Sequence, residues 1–140
     1  MDVSSTVRRT VLPADRIREL VKATLESERV RDALVSIAFI GTDTMSRLNR
    51  EFLSHSGATD VISFALGRRD GSLPVIGDIY VCPRVAELNA KRLGIPVREE
   101  LARLVVHGTL HILGLEHPEG DERFSSPMWR KQERILESLH

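Results

Sequence analysis

The residues with the clearest chemical potential are three histidines that lie close together in the chain. They belong to segment 107–117, which reads HGTLHILGLEH. His107 and His111 are four residues apart, so on a helix their imidazoles lie one turn apart on the same face. Two imidazoles at this spacing can bind one zinc ion. His117 follows six residues later, and on a continued helix it would lie about 240° away, on the wrong face.

Gly114, between the second and third histidines, removes this conflict. A glycine can adopt a positive φ, end the helix and turn the chain back, so that His117 joins His107 and His111. Three protein ligands leave the fourth position of a tetrahedral ion open, which is typical of a catalytic zinc site. There a zinc-bound water, with its pKa lowered to about 7, would be the catalytic group. The pattern predicts one Zn²⁺ per chain, although nickel, cobalt or copper would also accept three imidazoles.

The residues next to the histidines in sequence indicate which type of bond the site could hydrolyse. Metzincin peptidases share the histidine and glycine spacing, but they have a glutamate general base directly after the first histidine. Gly108 occupies that position here, which argues against peptide hydrolysis. Glu116, beside His117, is a candidate for orienting a metal ligand from behind, or for acting as a base. The alternative interpretation of Glu116 is an ordinary solvated carboxylate.

Composition excludes several function classes. The chain has 140 residues with 20 basic and 20 acidic side chains, so no overall positive charge indicates a histone-like binder, although a local basic groove stays possible. The single cysteine, Cys82, excludes an intrachain disulfide and a cysteine-rich zinc module, and we expect it to be a small buried hydrophobe. No apolar run approaches the roughly 18 residues of a membrane span. Residues 1–10 lack the apolar region of a signal peptide, and we expect a cytoplasmic protein.

Hydrophobic spacing and turn residues predict the elements that must position the histidines. The predicted helices begin at Pro13, after an N-cap at Thr42 or Asp43, at Pro83, near Pro96 and after Pro127. The third of these ends at Leu93 before Gly94, and the fourth ends near Gly114. The predicted strands cover 33–40, 60–66 and 77–82. Residues 1–12 form an edge strand or a loose arm, and segment 68–71 (RRDG) is a turn. The pattern indicates one mixed α/β or α+β domain over residues 1–140.

Several blocks of the chain together resemble the YbeY family of bacterial endoribonucleases, also described as rRNA maturation factors. The histidine segment is similar to the family signature H-G-x-L-H-L-x-G-[YF]-D-H. Further matching blocks are 48–49 (LN), 59–64 (TDVISF), 77–79 (GDI), 100–106 (ELARLVV) and, in the closing helix, Met128 with 133–136. They follow one another in the family's order between about residues 34 and 137.

This resemblance implies a fold, an activity and partners. The implied fold is a single α+β domain with a mixed four-stranded sheet, about five helices and a zincin-like metal helix. His107, His111 and His117 would hold the zinc ion. The implied activity is zinc-dependent cleavage of single-stranded RNA in 16S rRNA 3′-end maturation and ribosome quality control. The expected partners are the 16S rRNA precursor, the small ribosomal subunit and its associated factors, without membrane or DNA.

Two positions depart from the family pattern. The family usually has an arginine associated with activity five residues after the leucine of its L-N pair, and this chain has Leu53 there. Arg50, three residues earlier on the same helix face, is a candidate replacement. The second departure is Glu116 in place of the family's aspartate. The candidates for contacts with RNA phosphates are Arg47, Arg50, Arg68 and Arg69. Phe39 and Phe64 lie in predicted strands, where we expect both to be buried in the core, so base stacking should contribute little.

Two other functions fit the same residues. One is a ribosome-associated RNA-binding factor with a structural zinc and weak or lost nuclease activity, which Leu53 favours. The other is a zinc hydrolase of a non-RNA substrate, such as an amide, with Glu116 as the base. Removal of one histidine would abolish turnover in either enzyme, whereas it would only destabilise the binding factor.

Overall fold

The computed structural model describes residues 2–5, 12–54, 56–67, 74–118 and 120–139, and these ranges form an α+β fold. The elements within them, in chain order, are β1 (Asp2–Ser5), α1 (Ala14–Ser27), β2 (Ala33–Phe39), α2 (Thr42–Leu53), β3 (Val61–Ala65), β4 (Val75–Val81), α3 (Pro83–Leu93), α4 (Val97–Ile112) and α5 (Pro127–Ser138). A 3₁₀ helix, Gly120–Ser125, connects α4 to α5. The predicted fold class is confirmed.

The sheet is mixed and has the strand order β1-β2-β4-β3. Strand β4 pairs in parallel with β2 on one side and antiparallel with β3 on the other. The four-residue strand β1 adds to the edge of the sheet in parallel beside β2. The edge strand expected within 1–12 is thus observed at 2–5, while 6–11 and the predicted turn at 68–71 lie outside the described residues.

Side chains alternate between the two faces of the sheet, and each face carries its own apolar cluster. Val35, Ile37 and Phe39 of β2 are buried in the larger cluster, against α1, α4 and α5. On the other face, Ile62 of β3 packs in a smaller cluster with Met45 of α2. The predicted burial of Phe39 is confirmed, and helices α4 and α2 lie on opposite sides of the sheet.

Gly108 sets the distance between α4 and the sheet. A Cβ at this position would lie 2.8 Å from Cγ2 of Ile79 and 2.9 Å from Oγ of Ser63. The Ser63 hydroxyl in addition donates a hydrogen bond of 3.1 Å to the Gly108 carbonyl. The absence of a side chain therefore lets α4 lie directly on β3 and β4.

The helix ends follow the turn chemistry of the sequence with one exception. Pro83 begins α3, Gly94 ends it with a φ of 69°, and Cys82 is fully buried, all as predicted. The expectation that Thr42 or Asp43 caps α2 is wrong. Gly41 is the N-cap, and its extended backbone accepts a bond from Met45 N–H without any side-chain cap. None of the helices in the described ranges is long and apolar enough to span a membrane.

Candidate metal centre and adjoining cleft

The end of α4 brings the third histidine back towards the first two. Gly114 has a φ of 94°, and its N–H bonds to the His111 carbonyl at 3.0 Å. The next N–H, of Leu115, bonds to the Leu110 carbonyl at 3.1 Å. This pair of bonds is a Schellman motif, which ends a helix and reverses the chain. The positive φ predicted for Gly114 is confirmed.

The three imidazoles lie together, as the spacing predicts. The ring centroids are 4.6 Å apart for His107 and His111, 5.0 Å for His107 and His117, and 5.1 Å for His111 and His117. One ring nitrogen from each histidine lies within 4.8 Å of the other two. A single ion can therefore bind all three rings.

Each of the three rings uses its Nδ1 atom to bond to an oxygen. Nδ1 of His107 lies 2.5 Å from Oε1 of Gln132, Nδ1 of His111 lies 3.0 Å from the Leu115 carbonyl, and Nδ1 of His117 lies 2.8 Å from the Pro118 carbonyl. A carbonyl oxygen only accepts, so each Nδ1 must carry the proton and donate it. Each neutral ring is thereby left with an unprotonated Nε2, the form in which imidazole binds a metal.

The unprotonated nitrogens fit a cation. Nε2 of His107 and Nε2 of His111 are 3.0 Å apart, and neither carries a proton that could bond to the other. Two lone pairs at this distance repel unless a positive ion lies between them. Zinc binds imidazole nitrogen at about 2.0–2.1 Å in tetrahedral geometry, which places two such ligands slightly more than 3 Å apart. The donor set and its spacing therefore suit zinc.

Gln132 of α5 fixes the orientation of the His107 ring from behind. The Gln132 side chain is fully buried, and its amide nitrogen donates to Oε2 of Glu133 at 3.0 Å. Because a carboxylate only accepts, this bond determines which end of the amide faces His107. Glu133 is held in turn by Arg103 at 2.9 Å, and Arg103 also pairs with Glu100 at 3.3 Å. A continuous network thus runs from His107 into the contact between α4 and α5.

Burial favours the uncharged form of His107 and His111. It lowers the pKa of His107 to about 4, and burial together with the neighbouring His117 lowers the pKa of His111. Burial alone would raise the pKa of Glu133, but hydrogen bonds from Arg103 and Gln132 bring it below its ordinary value. The site is therefore neutral at His107 and His111 and ionised in the network behind His107.

The structure gives the two residues that bear on peptidase chemistry very different surroundings. Gly108 faces β3 and β4, so a glutamate there would enter the core and not the metal centre. Glu116 is exposed, and among the described residues its carboxylate forms no hydrogen bond to a histidine ring. The ring-orienting contacts come instead from Gln132 and from the carbonyls of Leu115 and Pro118, which the sequence motif did not reveal.

A cleft of about 580 Å³ opens beside the histidines. His107 and His117 form part of its wall, together with the half-buried carboxylate of Asp60, whose pKa is raised by this burial. Asn89 donates a hydrogen bond of 3.2 Å to this carboxylate. Basic, aromatic and further acidic side chains also line it: Arg92, Arg103, Arg123, Phe124, Trp129, Glu100 and Glu133. The cleft thus brings cations, carboxylates and aromatic rings close to the candidate metal centre.

The arginines proposed from the sequence occupy a different part of the molecule. Arg47 and Arg50 are exposed on α2, which lies across the sheet from α4, and neither lines the cleft. Leu53 is 43% exposed at the end of the same helix. Arg68 and Arg69 lie outside the described residues. Arg123, which does line the cleft, was missed because it lies in a polar connection without a periodic pattern.

Comparison with known proteins agrees with this architecture. A family model described as "Endoribonuclease YbeY" matches residues 4–140. A protein named endoribonuclease YbeY from Thermotoga petrophila is 35% identical over 125 residues, which cover 89% of this chain and 77% of that protein. A protein of the same name from Kineococcus radiotolerans is 33% identical over 144 residues, covering 97% and 82%. The solution structure of TM1509 from Thermotoga maritima matches with a TM-score of 0.65 and 28% identity, over 99% of this chain and 87% of that one.

Proposed function

The chain belongs to the endoribonuclease YbeY family, and from this premise we propose that it is a zinc-dependent endoribonuclease that cleaves single-stranded RNA. The observation that carries the proposal is the set of three imidazoles, each with Nδ1 donating to an oxygen and Nε2 free. This arrangement opens onto a cleft whose volume lies within the ~300–1,000 Å³ typical of ligand sites.

His107, His111 and His117 would hold the zinc ion. When bound there, zinc would supply Lewis-acid chemistry, which polarises a phosphoryl oxygen and favours ionisation of water. The histidines would leave part of the ion's surroundings open to the cleft, since no fourth ligating side chain joins their cluster among the described residues. Three protein ligands are typical of a catalytic zinc site, whereas structural sites are normally closed by four.

The other residues of the chain prepare the site for a phosphodiester substrate. Gln132 and two backbone carbonyls hold the imidazole tautomers, so the metal ligands need no reorganisation during the reaction. The three glutamates near the cleft are held by Arg103, which limits their repulsion of an anionic strand. An open cleft beside the ligands favours a single strand, because a thread of backbone fits where a paired helix would not.

Peptide hydrolysis is disfavoured by the position of Gly108. The zincin mechanism needs a glutamate at this point of the metal helix to act as general base. That position faces the sheet here, with a Cβ already meeting Ile79 at 2.8 Å. Among the described residues, no carboxylate is hydrogen-bonded to any of the three histidine rings. This supports RNA over a non-RNA substrate such as an amide.

We further propose that the substrate is the 16S rRNA precursor, cleaved near its 3′ end in the cytoplasm, with the small ribosomal subunit and its factors as partners in maturation and quality control. The support is the family resemblance of the whole chain. Incubation of the zinc-loaded protein with a precursor fragment that carries the 3′ extension tests this. We expect cuts in the extension that disappear when it is annealed to a complementary strand. Cuts that are indifferent to pairing would contradict the single-strand preference.

A further inference from the structure

Arg123, in the 3₁₀ helix, is the arginine of the cleft whose charge is available to a ligand. Three arginines line the cleft in the described part of the chain. Arg103 is engaged with three glutamates, and Arg92 donates a hydrogen bond of 2.5 Å to Oδ1 of Asn89. The guanidinium of Arg123 forms no ion pair with any carboxylate that the structure describes. Its hydrogen-bond donors are therefore free to meet an anion.

A stack of aromatic rings holds this guanidinium in place. The guanidinium carbon of Arg123 lies 4.7 Å from the centroid of the Phe124 ring. The Phe124 ring meets the Trp129 ring edge to face at 4.8 Å, with an interplanar angle of 84°. Trp129 is anchored in the first turn of α5, where its backbone N–H donates to Oγ of Ser126 at 3.2 Å. Cation–π contact positions a guanidinium without neutralising it, so the full charge stays available.

Arg123 shares the cleft with the candidate metal centre. Its side chain lines the cleft together with Asp60, His107 and His117. Burial raises the pKa of Asp60, and the positive charge of Arg123 lowers it. An anion bound between Arg123 and a metal ion held by the histidines would meet positive charge from two directions.

We propose that Arg123 binds a backbone phosphate of the RNA strand, adjacent to the phosphodiester presented to the metal centre. This inference rests on the proposed function and adds a substrate-binding residue to it. A planar guanidinium forms paired hydrogen bonds to phosphate oxygens, which suits an arginine that forms no ion pair with a described carboxylate. The stack on Phe124 and Trp129 supplies the orientation, so little side-chain freedom is lost when the strand binds.

The test compares Arg123→Ala with Arg134→Ala in the zinc-loaded protein. Arg134 is an exposed arginine of α5 outside the cleft, so its removal changes the net charge equally. The readouts are zinc content, thermal midpoint, and kcat/KM for an unpaired fluorogenic oligoribonucleotide between 50 and 200 mM salt. We expect Arg123→Ala to lower kcat/KM at least about tenfold, the scale of one charge-assisted hydrogen bond. We also expect its log–log salt dependence to be shallower by about 0.7, the value for one lost phosphate contact on a single strand.

The outcomes separate this inference from the proposed function. A loss specific to Arg123→Ala, with zinc content and thermal midpoint unchanged, supports it. Equal behaviour of the Arg123→Ala and Arg134→Ala variants overturns this inference but leaves RNA cleavage itself intact. Absence of cleavage by the unmodified, zinc-loaded protein overturns the proposed function and this inference with it.

Discussion

Oε1 of Gln132 lies 2.5 Å from Nδ1 of His107, and this one contact determines which nitrogen of the ring faces the metal centre. The two residues lie on different helices and are 25 positions apart in sequence. The amide cannot turn around, because its nitrogen donates to Glu133. The docking of α5 on α4 thus orients the ring of His107, a candidate metal ligand whose position is set by α4.

We predict that Gln132→Leu lowers zinc affinity by about 10–100-fold, the usual effect of losing a partner behind a metal ligand. Leucine fills much of the same volume but cannot accept the Nδ1 proton of His107. The affinity is measured by competition with a chelator, and the tautomer of His107 in the metal-free protein by ¹⁵N NMR. We expect the Nδ1–H signal of His107 to give way to an Nε2–H signal. An unchanged tautomer together with unchanged affinity would refute the role assigned to Gln132.

Gly114→Ala is expected to weaken metal binding through the backbone. Its φ of 94° is strained for alanine, and a change there would displace the Leu115 carbonyl that holds His111. Gly94→Ala is a matched control, because Gly94 ends α3 with the same pair of backbone bonds and a φ of 69°. We expect both variants to lose about 1 kcal/mol of unfolding free energy or more, measured in urea. Only Gly114→Ala should also lose zinc affinity. An equal loss of zinc affinity in both variants would contradict this prediction.

Gly108→Ala tests the contact between the metal helix and the sheet. The added Cβ would meet side-chain atoms of Ile79 at 2.8 Å and Ser63 at 2.9 Å, so α4 or these two side chains must shift. We expect a loss of about 1–3 kcal/mol in unfolding free energy, typical of overpacking in a core. Gly41→Ala is the control, since a Cβ there meets nothing within 4 Å and its backbone is already extended. Equal stability of the two variants would contradict the close contact between α4 and the sheet at Gly108.

The network behind His107 should weaken in acid. Burial alone would raise the pKa of Glu133, but hydrogen bonds from Arg103 and Gln132 lower it below the ordinary 4.5. A lowered folded-state pKa stabilises the fold above the unfolded pKa, and this contribution is lost as the pH falls through the folded value. We therefore expect Glu133→Gln to be less stable than the unmodified protein at pH 7, with the difference shrinking below about pH 4.5. Urea unfolding between pH 3 and 7 measures this, and a difference that is independent of pH would contradict it.

The features that depend on local sequence patterns could largely be predicted. The four-residue spacing of His107 and His111, and the need for Gly114 to return His117, follow from helix geometry, and the structure places all three rings together. Strand and helix positions followed from apolar periodicity. The cap of α2 was mispredicted because the Gly41 carbonyl accepts the first helical bond, and Thr42 and Asp43 are already inside the helix.

The parts that escaped prediction depend on contacts between distant segments. Gln132 reaches His107 only because α5 packs on α4, and nothing in the sequence near either residue signals it. Arg123 lies in a polar connection whose role becomes visible only when Phe124 and Trp129 are seen beside it. The proposed role of Arg50 rests on its position on a helix face, but that helix, α2, lies on the other side of the sheet from α4.

The most direct test of the central claim is cleavage of a labelled single-stranded rRNA fragment by purified protein of measured zinc content, beside His111→Ala. We predict about one zinc per chain and cleavage in the unmodified protein. We predict loss of both in the variant, with circular dichroism showing that the variant is folded. Zinc at one equivalent without any cleavage would contradict the account and indicate an RNA-binding factor with a structural metal.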